Sequence, residues 1–184
     1  MCKFKQIYSF FEINLKRETL VVLDIDDTII KYSKMNKQWW KSTFDSYYKI
    51  SKNYDDADEQ TLNNWRIQIY SAVPLHIDEN GLFDLFKRAK ELDCTIICLT
   101  ARDQSLERIT YEHLKQLGIN GIKIYFSPEV EKGITLDEIL STYKINCQNY
   151  KDIIFVDDLH GNLVSVHTNT HHPNIKCYHM IETI

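Results

Sequence analysis

The chain has 184 residues, 43% of them apolar and 26% charged, which suits one α/β domain with its own core and a small insertion. Five Gly and three Pro, without a low-complexity run, exclude a disordered chain. A formal net charge of −4 excludes a broad basic surface for nucleic acid and leaves local basic pockets open.

Phe4, Ile7, Phe10, Phe11 and Leu15 recur at helical spacing, so residues 3–16 are expected to form an amphipathic helix. Lys3, Lys5 and Glu12 break residues 1–18 too often for a secretory-signal core. No stretch approaches the run of about 18 uncharged apolar residues that a membrane span needs. Five cysteines (Cys2, Cys94, Cys98, Cys147, Cys177) form no CxxC pair, and Cys94 and Cys98 lie inside an apolar run, as small core residues of a reducing compartment do. The expectation is a soluble cytoplasmic domain without a membrane partner. Export into a host cell stays open.

LVVLDI (20–25) is a short, continuous apolar run rich in Val and Leu, the pattern of a strand buried on both faces of a parallel sheet. CTIICLT (94–100), IKIYFS (122–127), DIIFVD (152–157) and IKCYHMI (175–181) repeat it. Between them, residues 81–92, 105–117 and 132–143 carry apolar residues at i, i+3, i+4 and i+7 and read as helices. Gly118 closes the second of these as a C-terminal glycine. Strand–helix alternation implies right-handed crossovers and a doubly wound sheet, whose ligands bind at the carboxyl ends of the strands. Residues 31–78 break this rhythm. Aromatic, charged and helical in pattern, they read as a small cap inserted after the first strand, with the core formed by 1–30 and 79–184. The stripe Trp39, Trp40, Phe44, Tyr47 and Tyr48 is either the cap's own core or the lining of a pocket.

Four of the expected strands end at, or just before, polar residues. The first runs into Asp24-Ile25-Asp26-Asp27-Thr28 and the second into Thr100-Ala101-Arg102. The third leads through Ser127 to Lys132, and the fourth ends in Asp157-Asp158. Asp24 and Asp157 brought together in a partly dry site would repel strongly unless a cation stood between them, and oxygen ligands with open water positions suit Mg²⁺. Such a group can perform phosphoryl transfer. A carboxylate attacks phosphorus and divides the displacement into two easier steps. A second carboxylate two residues on protonates the leaving oxygen and then activates water. The Thr100 hydroxyl and the Lys132 ammonium would hold the transferred group.

The order DxDxT after an apolar strand, a strand-end Thr, a later Lys and a strand-end DD resembles the haloacid dehalogenase superfamily. SFFEI (9–13), QWW (38–40), CLTAR (98–102) and IIFVDDLHGNLVSV (153–166) resemble an uncharacterised branch of it, known mainly from intracellular bacteria. The resemblance implies a Rossmann-like core of five mainly parallel strands in the order 5-4-1-2-3, with helices on both faces and a small helical cap. It implies Asp24 as nucleophile and metal ligand, and Asp26 as general acid/base with a metal-binding backbone carbonyl. Thr100 and Lys132 become the phosphoryl-binding pair, and Asp157 a metal carboxylate helped by Asp158. For the lysine, Lys123 and Lys144 are rivals that the helix start KGITLDEIL places behind Lys132.

Other residues have two readings each. Asp27 caps the turn or joins the site, and Thr28 steadies that turn. Asn162 orients an Asp or is incidental. Arg102 grips a second anionic group on the substrate as a phosphate-binding residue, or forms a surface salt bridge. His167, His171 and His172 fit no zinc signature. The leading expectation is a Mg²⁺-dependent phosphomonoester hydrolase acting through an aspartyl-phosphate, on a phosphorylated substrate that is a small molecule rather than nucleic acid. The alternatives are a phosphotransferase, a phosphatase of protein or nucleic-acid ends, and a silent binding protein on the same scaffold. A receiver-type signalling domain uses similar residues, but its phosphorylated Asp ends a later strand, an order that this chain does not follow.

Overall fold

The computed structural model describes residues 4–142 and 150–182; Cys2, Lys144 and Cys147 lie outside them. In chain order the elements are β1 (Lys5–Ile7), β2 (Thr19–Leu23), β3 (Ile30–Tyr32), α1 (Lys37–Ser51), α2 (Tyr54–Gln68), β4 (Pro74–His76) and α3 (Glu79–Glu91). There follow β5 (Thr95–Thr100), α4 (Glu107–Gln116), β6 (Lys123–Phe126), α5 (Lys132–Thr142), β7 (Asp152–Asp157), α6 (His160–Asn169) and β8 (Ile175–Met180). Among the described residues, no helix is long and apolar enough to cross a membrane. Cys94, Cys98 and Cys177 are free thiols.

Six strands form one parallel sheet in the order β1-β8-β7-β2-β5-β6, with helices on both faces, and β3 pairs separately with β4. This corrects the expectation of five strands in the order 5-4-1-2-3, because the observed order starts with an edge strand that the expectation lacked. The residues expected as a helix over 3–16 supply it. Lys5–Ile7 pair with Tyr178–Met180, and a 3-10 turn follows over Phe10–Glu12.

Distant side chains explain why no helix forms there. Asp78, the N-cap of α3, accepts from the Ser9 hydroxyl at 2.6 Å and from the Phe10 N–H at 2.8 Å. Arg88 donates to the carbonyls of Ile13 (2.6 Å) and Phe10 (2.9 Å). These bonds take backbone groups that a continuing helix would pair internally. Ser9 and Glu12 also form a capping box around the short turn.

The chain divides into two compact units. One comprises Met1–Ile30, His76–Gln104 and Gly121–Ile184. All five residues of β2 are buried in it, as a central parallel strand covered on both faces requires. Leu20, Val22, Ile97, Leu99, Phe155 and Leu163 belong to one hydrophobic cluster of its core. Each such side chain contributes about 1.5–3 kcal/mol through burial.

The other unit comprises Lys31–Leu75 and Ser105–Asn120, and so holds α1, α2 and α4. Asn36 caps α1, its side chain accepting the Trp39 N–H at 2.9 Å. Lys52, in the left-handed conformation at φ 56°, turns the chain, and Asn53 caps α2. Phe44 packs on both Tyr48 and Tyr54, and Asn64 donates to the Tyr47 hydroxyl at 3.3 Å. Even so, α1 buries none of its residues, whereas α2 buries Ala57 and Thr61.

Candidate active site

Parallel pairing brings the polar strand ends to one edge. β2 lies between β5 and β7 with Leu23 opposite both Cys98 and Val156, so Asp24 and Asp157 each stand one step beyond the Leu23–Val156 pair. The Asp24 N–H continues the ladder, donating to the Val156 carbonyl at 2.9 Å. The chain then folds back on itself. Asp27 adopts φ 55°, a left-handed conformation that Asp tolerates better than most side chains. Its N–H donates to Ile30 O at 2.8 Å, while Ile29 and Ile30 both donate to Ile25 O at 2.9 Å. Thr28 is buried in this turn, with its hydroxyl 3.5 Å from Asp24 Oδ2.

Lys132, the first residue of α5, closes the gap between the two strands. Its Nζ donates to Asp24 Oδ1 at 2.5 Å and to Asp157 Oδ2 at 2.7 Å, and all three side chains are buried. The loop before it is fixed by Ser127 Oγ, which donates to Val130 O at 2.6 Å and lies 2.9 Å from Thr135 Oγ1. The start of α5 is also seated closely on α6. A Cβ on Gly133 would lie 2.1 Å from Ser165 O, so only glycine fits there. Glu131 accepts from Ser165 Oγ (2.9 Å) and from Asn169 (3.0 Å), and Gly133 N–H donates to Ser165 Oγ at 3.1 Å.

Asp157 is held from its other side as well. Its Oδ1 accepts the Leu159 N–H at 2.8 Å, and Asn162 Nδ2 stands 3.1 and 3.0 Å from its two oxygens. Asn162 therefore orients Asp157. His179, opposite Asp157 on β8, donates from Nε2 to the Asp158 carbonyl at 2.8 Å. The carboxylate of Asp157 and the carbonyl of Asp158 are thus held by partners of which the sequence signals only Asn162, one turn into the following segment.

Thr100 ends β5 and is buried, its Oγ1 accepting the Arg102 N–H at 3.2 Å. The structure places the Arg102 guanidinium on Asp26, with Nε to Oδ2 and Nη2 to Oδ1 both at 2.8 Å. Arg102 is buried, whereas Asp26 stays partly in solvent, so the pair lies at the boundary of the covered interior. The C-terminal histidines serve locally: His171 bonds Asp137 and His172 meets the Tyr150 carbonyl.

The electrostatics follow from this crowding. Burial pushes the Asp24 carboxyl well above the usual carboxylate range; Lys132 opposes that shift, and Asp157 and Asp26 add to it. Burial also disfavours the Lys132 ammonium, but Asp24 and Asp157 outweigh it and hold the group protonated. Beneath them, burial and then the Asp24 charge keep the Cys98 thiol from ionising. Two buried carboxylates, Asp24 and Asp157, share the Lys132 ammonium, so negative charge outweighs positive within this triad in a dry place. Asp24, Asp157 and Asp158 each offer an oxygen within 4.8 Å of the others. An all-oxygen donor set with surplus negative charge fits a hard divalent cation.

Over residues 1–123 the sequence matches the model of a family described as "Protein of unknown function (DUF2608)". The chain belongs to that family. The DUF2608 match includes Asp24, Asp26, Thr100 and Arg102, and ends before Lys132, Asp157 and Asp158. Among solved structures, this DUF2608 member is similar to a haloacid dehalogenase-like family hydrolase from Streptococcus pneumoniae. The two are 15% identical, over 82% of this chain and 80% of that chain, with a TM-score of 0.52. That likeness establishes a haloacid dehalogenase-like fold. No curated protein matches the chain.

Proposed function

We propose that this protein is a Mg²⁺-dependent phosphomonoester hydrolase in which Asp24 is the nucleophile. The observation that carries the reading is the Lys132 ammonium joining Asp24 and Asp157 across the tips of adjacent parallel strands, with Asp158 beside them. Asp24, Asp157, Asp158 and the Asp26 carbonyl would hold the metal ion. When bound, it would neutralise charge on the phosphoryl oxygens and orient them for in-line displacement.

The chain's own residues do the rest. An Asp24 oxygen attacks phosphorus, forming an acyl phosphate as the ester P–O bond breaks. The departing alkoxide takes a proton from the Asp26 carboxyl. Asp26, now a carboxylate, removes a proton from water, whose oxygen attacks phosphorus and releases inorganic phosphate and free Asp24. Thr100 and Lys132 hold the phosphoryl oxygens throughout. The substrate class we propose is a small phosphorylated molecule, with residues 31–78 acting as a cap that controls access.

The test is hydrolysis of p-nitrophenyl phosphate and a panel of phosphomonoesters, with Mg²⁺ and with EDTA. Turnover should require Mg²⁺ and fall on the order of 10⁴-fold in Asp24→Asn. Turnover that survives either change would overturn the reading.

A further inference from the structure

We infer that Arg102 is a positioning residue whose task is to aim the Asp26 carboxylate. This rests on the acid–base role proposed above for Asp26. The two side chains differ sharply in exposure: that of Arg102 is 1% exposed and that of Asp26 is 35%. A guanidinium buried to that degree needs partners for its N–H groups. Two of them form a fork on the two oxygens of Asp26, both at 2.8 Å, the geometry in which a guanidinium fixes both the direction and the plane of a carboxylate.

The anchor is buried and the anchored group is partly exposed. Arg102 stands two residues beyond the end of β5, and its N–H is tied to Thr100 Oγ1 at 3.2 Å. Asp26 lies in the reversal after β2, beside left-handed Asp27, with a carboxylate that packing leaves partly in solvent. Unheld, that side chain would sample several rotamers. An acid–base group must reach its proton within about 2.6–3.2 Å, and misplacing it by about 1 Å costs roughly 10²-fold. The fork joins the tip of β5, which carries Thr100, to the turn that carries Asp26.

The experiment compares wild type, Arg102→Lys, Arg102→Gln, Asp26→Asn and the double variant Arg102→Lys/Asp26→Asn, using p-nitrophenyl phosphate with saturating Mg²⁺. Both Arg102 variants should lower kcat by roughly 10–10²-fold with KM within about twofold. Arg102→Gln should fall further than Arg102→Lys, which keeps the charge without the fork. In the Asp26→Asn background, Arg102→Lys should add nothing. A tenfold rise in KM at unchanged kcat, or losses that multiply in the double variant, would make Arg102 a substrate grip and overturn the inference. Thermal unfolding of the same proteins without substrate gives a second measurement. The Tm losses of the singles should be less than additive in the double, and additive losses would overturn the pairing. If wild type turns over no phosphomonoester, the proposed hydrolase falls, and the thermal cycle alone decides whether Arg102 holds Asp26.

Discussion

β2 and α1 both carry dense apolar content and treat it in opposite ways. β2 buries each of its five residues, whereas α1, with two Trp, a Phe and two Tyr, buries none of its fifteen. A central parallel strand is held on both edges by hydrogen bonds and on both faces by helices. The groups at its end therefore meet others at distances such as the 2.5 Å between Asp24 and Lys132. A helix that only half-covers its aromatics has fewer contacts to lose, so it opens locally at lower cost. Chemistry that needs fixed geometry is better housed at the strand tips than along such a helix.

This contrast can be broken by substitution. Lys132→Met leaves Asp24 and Asp157 facing each other without their shared cation, and in metal-free protein it is expected to cost about 3–5 kcal/mol by urea unfolding. A loss below about 1 kcal/mol would mean that the strand tips are not electrostatically closed. Phe155→Ala, in the buried cluster beside β2, should cost about 3–5 kcal/mol, while Phe44→Ala on α1 should cost about 1 kcal/mol. Equal losses would remove the distinction between the two regions. Gly133→Ala forces a methyl against the Ser165 carbonyl, so about 1–3 kcal/mol should be lost together with turnover, as Lys132 shifts with its helix. Ile50→Ser, at a side chain 83% exposed, should change stability by no more than about 0.5 kcal/mol.

The sheet was legible in the sequence where one short stretch carries its own signal. LVVL, IICL and IIFV each announce a strand covered on both faces, and carboxylates or a hydroxyl directly after them mark the binding edge. The helices expected over 81–92, 105–117 and 132–143 correspond to α3, α4 and α5. Residues 3–16 misled because their helical spacing is local, while the bonds that decide their conformation are distant. Ser9 meets Asp78 across 69 positions, and Arg88 meets Phe10 across 78. The Arg102–Asp26 fork spans 76 positions, so CLTAR suggested an anion grip or a surface salt bridge and gave no sign of the partner. The seat of Gly133 on Ser165 is equally silent in KGITL, because nothing in a glycine's neighbours tells which backbone will pass close to it.

The edge strand β1 has a consequence for how the molecule is made. Among the described strands Lys5–Ile7 pair with Tyr178–Met180 alone, so the earliest-synthesised strand of the sheet waits for the latest. At about 5–20 residues per second, a ribosome takes roughly 10–35 s to bridge that gap. Until β8 is made, Lys5–Ile7 lack the strand whose parallel pairing ties them into the sheet. Only the capping box between Ser9 and Glu12 can form at once, since it needs nothing beyond its own turn. In order of birth, the oldest strand is the last to dock.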